Sequence, residues 1–164
     1  MKIKEILNKL KKKGWNIQVA ETNEFSLPKE LGERYPDIPS ELKDFLSGLK
    51  KCVHPDETVW FLCQDDYWGT SNSAFKWNEW ELLSLDAADG DEDFISDIKS
   101  FWDYHFPFYY SIHSGYQFIA VSLKQENYGS IVLGFEPEFE EAYEFKKDLS
   151  SFFTHLLNNN YGTE

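Results

Sequence analysis

The sequence predicts a single α+β domain: a central, mostly antiparallel sheet with a C-terminal meander, surrounded by about four helices. Three observations carry this expectation. Residues 107–139, PFYYSIHSGYQFIAVSLKQENYGSIVLGFEPEF, read as three strands joined by two short turns. The middle strand, residues 116–123, has Phe118 and Ala120 on one face and Ile119, Val121 and Leu123 on the other, as a strand buried on both sides requires. Elsewhere, apolar residues recur with the period of a helix in four stretches.

The first of these is residues 2–13, where Ile3, Ile6, Leu7 and Leu10 fall at i, i+3, i+4 and i+7. Lys11, Lys12 and Lys13 complement the negative end of its dipole, and Gly14 suits the left-handed position just beyond. Residues 15–20 are expected to form a short edge strand, and residues 21–37 a proline-punctuated connection. In residues 38–51, Pro39 fits a first helical turn, and Leu42, Phe45, Leu46 and Leu49 line one face. The apolar run TVWFLC, residues 58–63, reads as another buried strand. Residues 64–85 set Trp68, Trp77 and Trp80 among polar residues and end in Leu82 and Leu83, a pair expected to enter the sheet.

Asp89, three residues before Glu92, reads as a helix cap ahead of Phe94, Ile95, Ile98, Phe101 and Trp102. The acidic run 89–93 lacks the ligand spacing of a calcium loop. The meander strands occupy residues 108–113, 116–123 and 130–135, with turns through Ser114-Gly115 and through residues 126–129. A final helix over residues 148–158 buries Leu149, Phe152, Phe153 and Leu156.

A chain of 164 residues with 18% aromatic content forms one bulky core. Charge is distributed unevenly: residues 1–52 carry a net +3 and residues 53–164 a net −16. That excess disfavours nucleic acid as a direct ligand, because phosphate binding draws on clustered lysine and arginine. It suits a basic protein partner, and it also serves solubility. No apolar run approaches the ~20 residues of a membrane span, and no apolar stretch follows the lysine-rich start, so the expected location is the cytoplasm.

The search for chemistry returns no constellation. Cys52, His54, Cys63, His105 and His113 show no zinc-type spacing; no G-x-S-x-G elbow or phosphate loop is present. Cys52 and Cys63 leave a single disulfide open. The expectation is a protein without enzymatic activity, metal or cofactor.

Taken in order, the pieces resemble the SMI1/KNR4 family of the SUKH superfamily over residues 30–157. The positions that carry the resemblance are Ser111, Ile112, His113, Gly115, Tyr116, residues 118–121, Gly129, Ile131, Val132, Gly134, residues 136–141, and Ser151, Phe152, Phe153 and Leu156. Residues 38–46 match the family's proline-led helix. The resemblance implies an α+β domain and, for a bacterial member, an immunity protein that binds a polymorphic toxin, often a nuclease. Fungal members imply the alternative, a regulatory scaffold without a toxin partner.

A surface for such a partner combines rings with negative charge. Asp65, Asp66, Tyr67, Trp68, Trp77 and Glu79 meet that description, with Asp89, Asp91, Glu92 and Asp93 nearby in sequence. The carboxylates would pair with lysine or arginine of a basic toxin, and Tyr67 and Trp68 would be the desolvated anchors. The alternative for the same residues is that the rings cover the sheet and the acids cap a helix.

Overall fold

Seven strands run in simple chain order across one sheet, every neighbouring pair antiparallel. The computed structural model describes residues 2–136 and 138–164; Pro137, one of the positions of the resemblance, lies outside them. The strands are β1 (Asn16–Val19), β2 (Leu49–Val53), β3 (Val59–Phe61), β4 (His105–Ser111), β5 (Gln117–Ser122), β6 (Ile131–Phe135) and β7 (Tyr143–Lys146). The helices among the described residues are α1 (Ile3–Lys12), α2 (Lys29–Arg34), α3 (Ser40–Ser47), α4 (Gln64–Tyr67), α5 (Glu79–Ala87), α6 (Glu92–Asp103) and α7 (Leu149–Asn158). None is long and apolar enough to cross a membrane.

The meander is the best-buried part of the sheet. Every residue of β5 is buried, and the strand lies between β4 and β6 as its two apolar faces require. Phe118 pairs with Gly134, where an added Cβ would stand 2.2 Å from the Phe118 ring, so the glycine makes room for the aromatic. Strand β4 begins three residues earlier than the pattern suggests. It admits Pro107, which has no N–H to donate, at a register shift between Pro107 and Tyr109.

Helices close the two faces of the sheet differently. On the first face, Phe45 of α3, Phe152 and Phe153 of α7 and Trp15, which follows α1, pack onto Phe61, Phe108 and Tyr109, with ring centroids 5.1–6.5 Å apart. On the second, Trp80 of α5 stacks on Tyr110 at 4.2 Å and Trp102 of α6 packs on Phe118 at 4.6 Å. Arg34, at the end of α2, grips the Glu81 carboxylate with two bonds of 2.8 and 2.6 Å and Asp103 with one of 2.9 Å, tying α2 to α5 and α6.

Four local expectations change. Leu82 and Leu83 lie in α5, not in the sheet; the inward stripe is Trp80, Ser84 and Ala88, and Leu82 faces solvent. The helix expected over 38–51 ends at Ser47, and Leu49 keeps its place in the core as the first residue of β2. The cap of α6 is Asp91, whose carboxylate accepts from the Phe94 N–H at 3.1 Å, while Asp89 stands in the preceding turn with φ +46°. Residues 143–146, unassigned by pattern, add the edge strand β7.

Candidate functional site

Residues 64–80 run over the second face. The short helix α4 starts with a reciprocal cap: the Asp66 carboxylate accepts the Cys63 N–H at 2.7 Å. Burial pushes the Asp66 carboxyl above its ordinary range, and the Cys63 bond opposes that shift. The next residue drives inward. Tyr67 is only 2% exposed, stacks on Phe106 at 5.0 Å and donates its hydroxyl to the Pro107 carbonyl at 2.8 Å. Expected as an anchor for a partner, it is a core residue with no surface to offer, because its hydroxyl has an internal acceptor.

Trp68 is different. It is 47% exposed and its indole N–H is held by the Ser26 carbonyl at 3.0 Å, a staple to the connection before α2. Trp77 is half-buried against Tyr35 and Tyr67, and its carbonyl accepts the Tyr110 hydroxyl, so it covers the sheet. Glu79 accepts the Lys76 N–H at 2.8 Å and serves the start of α5. Asp65 is half-buried and lines a cleft between α4, the loop after it and the sheet.

The second acidic group assembles elsewhere. Asp89, Asp91, Glu92 and Asp93 are exposed around the first turn of α6. Phe94 packs on Phe139 at 5.9 Å, which sets that turn beside the exposed Glu138, Glu140 and Glu141. None of these seven carboxylates forms an ion pair among the described residues. Next to them, Glu136 accepts the Ser84 hydroxyl at 2.5 Å. Burial raises its pKa to about 7, the Glu138 and Glu140 charges add to the rise, and the Ser84 bond opposes it. The sequence places residues 89–93 and 136–141 more than 40 positions apart, and the contacts of Phe139 with Phe94 and Phe101 of α6 make them one surface.

The longer helices of that face, α5 and α6, bring Trp80 onto Tyr110 of β4 and Trp102 onto Phe118 of β5, and the short α4 lies by β2. There the loop 68–78 arches across the sheet, held by the Phe75 ring, which lies 5.4 Å from Trp60 and 5.5 Å from Trp80. Between loop and sheet is a cleft of about 670 Å³ lined by Gln18, Lys51, Val53, Trp60, Phe75 and Ile112 among others. A smaller hollow of about 350 Å³ lies alongside and shares Asp66, Ser71, Ser73 and Phe75. The Trp60 side chain is 93% buried, and its indole N–H has no partner among the described residues.

Histidines and cysteines do not converge as a group. Cys52 and Cys63 are buried free thiols whose pKa values burial pushes up, and the Cys63 thiol donates to the Phe61 carbonyl at 3.6 Å. His105 donates its Nδ1–H to the Phe101 carbonyl at 2.7 Å and stacks on the Phe101 ring. His54 and His113 both lie against the Tyr161 ring, at 4.9 and 3.5 Å, and His54 Nδ1 is 2.9 Å from Asp56. Burial works to raise the Asp56 carboxyl, but bonds from Thr58, Tyr161 and His54 hold it well below its ordinary range. This arrangement docks the C-terminal residues on the sheet: Tyr109 donates its hydroxyl to the Tyr161 carbonyl at 2.6 Å. Among the described residues no three His, Cys, Asp or Glu side chains are grouped to hold a metal ion.

No family model, curated protein or solved structure matches this chain. The geometry therefore carries the functional argument, and its two prominent features are the acidic surface at α6 and the cleft over β1–β3.

Proposed function

We propose that this chain is a non-catalytic protein-binding domain of the SMI1/KNR4 type, acting in the cytoplasm as an immunity protein that neutralises a basic toxin. The observation that carries the reading is the surface formed by Asp89, Asp91, Glu92, Asp93, Glu138, Glu140 and Glu141, seven exposed carboxylates without an internal cation. A toxin that acts on nucleic acid presents lysine and arginine to phosphates, and a dense carboxylate surface competes for the same side chains. Trp68, half-exposed and fixed at its N–H, supplies a ring for the rim of such an interface.

The test is co-expression of the toxin encoded beside this gene, with and without the chain. Growth is restored by the wild type. The pair Asp93→Lys and Glu141→Lys should slow association and flatten its salt dependence, at a stability cost of no more than ~1 kcal/mol from the helix dipole. Trp68→Ala should weaken the complex while leaving the melting temperature almost unchanged. Failure to protect against that toxin, with binding to other cellular proteins intact, would shift the reading to a regulatory scaffold.

A further inference from the structure

Helix α1 and its flanks turn six lysines outward. Lys2, Lys4, Lys9, Lys11, Lys12 and Lys13 are exposed, while Ile6 and Leu10 point into the core. Only Lys2 has a carboxylate partner among the described residues, Glu5 at 3.5 Å, so the other five carry unpaired charge. The opposite charge gathers far away. Helix α1 lies against α7 and β1 on the first face, whereas the carboxylates of α6 and residues 138–141 lie on the second, beside β6. Five strand spacings separate β1 from β6, roughly 24 Å at about 4.8 Å each. That is about three times the ~8 Å over which physiological salt screens a charge, so neither patch neutralises the other within one chain. A second copy of the chain brings both signs to the encounter.

We propose that the lysine face of α1 docks on the acidic surface of a second copy, its ammonium groups meeting the carboxylates of α6 and residues 138–141. The two patches differ, so the contact is head to tail: each copy that offers its lysines keeps its own carboxylates free for the next. Lys4 and Lys11, seven residues apart, share one side of the helix and form the centre of the contact. Exposed ion pairs contribute little each, and a net charge of −13 per chain repels copies as a whole. The association is therefore weak and belongs to low salt. It covers the surface that the toxin reading assigns to a basic partner, so a toxin arrives by displacing a copy. The contact itself needs only the two patches of this chain and does not rest on that reading.

Sedimentation velocity of the full chain provides the test, with no toxin present. At about 20 mM salt the sedimentation coefficient should rise with protein concentration, and at about 300 mM it should not, because the screening length falls from about 20 to about 6 Å. Lys4→Glu with Lys11→Glu should lower the association constant about tenfold, and so should Asp93→Lys with Glu141→Lys. A mixture of these two variants should associate again, because the unchanged lysines of the second meet the unchanged carboxylates of the first. Lys4→Gln with Lys11→Gln, which removes charge without reversing it, serves if the reversed variant does not fold. A chain that stays monomeric at low salt overturns the proposal. So does association that either variant retains in full, or a mixture no more associated than its components. A chain that self-associates but does not protect against the toxin removes only the functional reading, and one that protects yet stays monomeric removes only this contact.

Discussion

The first face of the sheet and the second are both aromatic, yet they are closed by different means. On the first, helices α1, α3 and α7 interlock rings with rings, and Phe45, Phe108, Phe152 and Leu10 have no exposed surface. The second mixes polar and apolar devices: the Arg34–Glu81–Asp103 group, the Tyr67 and Tyr110 hydroxyls on backbone carbonyls, and indole N–H groups of Trp60, Trp80 and Trp102 without partners among the described residues. On that side α5 and α6 pack on β4 and β5, and the loop 68–78 covers Trp60 of β3 through Phe75. The contrast teaches that on a face fully closed by periodic helices the sheet has nothing left to bind with, whereas one closed by loops and polar contacts retains both a cleft and unpaired donors.

The contrast predicts unequal costs for equal cuts. Phe152→Ala removes a ring in contact with Phe61, Phe108, Tyr109 and Phe153, and should lose roughly 3–5 kcal/mol in urea unfolding. Trp60→Ala, beside a cleft that is already open, should lose only about 2 kcal/mol. Equal losses would remove the distinction between the faces. Arg34→Ala comes next: it leaves Glu81, 5% exposed, without its cation, and should cost about 2–3 kcal/mol. The double variant Arg34→Met with Glu81→Leu should recover most of this, because the expense lies in the stranded charge. A double variant no more stable than Arg34→Ala would show that the ion pair holds α2 to α5 in a way apolar packing cannot replace.

Legibility in the sequence follows the same division. The helices α1 and α7 and the strands β4–β6 were visible because their apolar residues repeat with one period, and each buries the face the pattern marks. Strand β2 was hidden: Leu49 continues the helical stripe of Leu42, Phe45 and Leu46, and nothing local says that the chain turns at Gly48. In α5 the inward stripe of Trp80, Ser84 and Ala88 contains a serine, so the more hydrophobic Leu82 and Leu83 misdirect the eye. Among the site residues, composition could find Trp68 and the acids of 89–93, but not that Tyr67 points inward to Pro107 or that Asp66 and Glu79 are spent on backbone N–H groups. Those distinctions depend on partners far along the chain.

The smallest expected effect sharpens the comparison through pH. Glu136 joins the end of β6 to α5 through Ser84, and its half-buried carboxyl has a pKa of about 7 in the folded chain, against 4.5 when it is free. The folded state therefore holds this proton more tightly than the unfolded state. Its contribution is fully present below about pH 4.5, declines as pH rises and is gone once pH passes about 7. Solvent screens a group this exposed, so the swing should be about 1 kcal/mol, well below what the pKa difference alone implies. Glu136→Gln keeps an oxygen for Ser84 to donate to and removes the charge. It should flatten stability between pH 5 and 7 and raise it by about 1 kcal/mol at pH 8, read from urea midpoints at matched ionic strength. On the first face Asp56, beside His54 and Tyr161, is held low instead, so Phe152→Ala should lower the profile between pH 5 and 8 without changing its shape there. A profile in Glu136→Gln as steep as that of the wild type would place the titration elsewhere and leave the second face no more responsive to pH than the first.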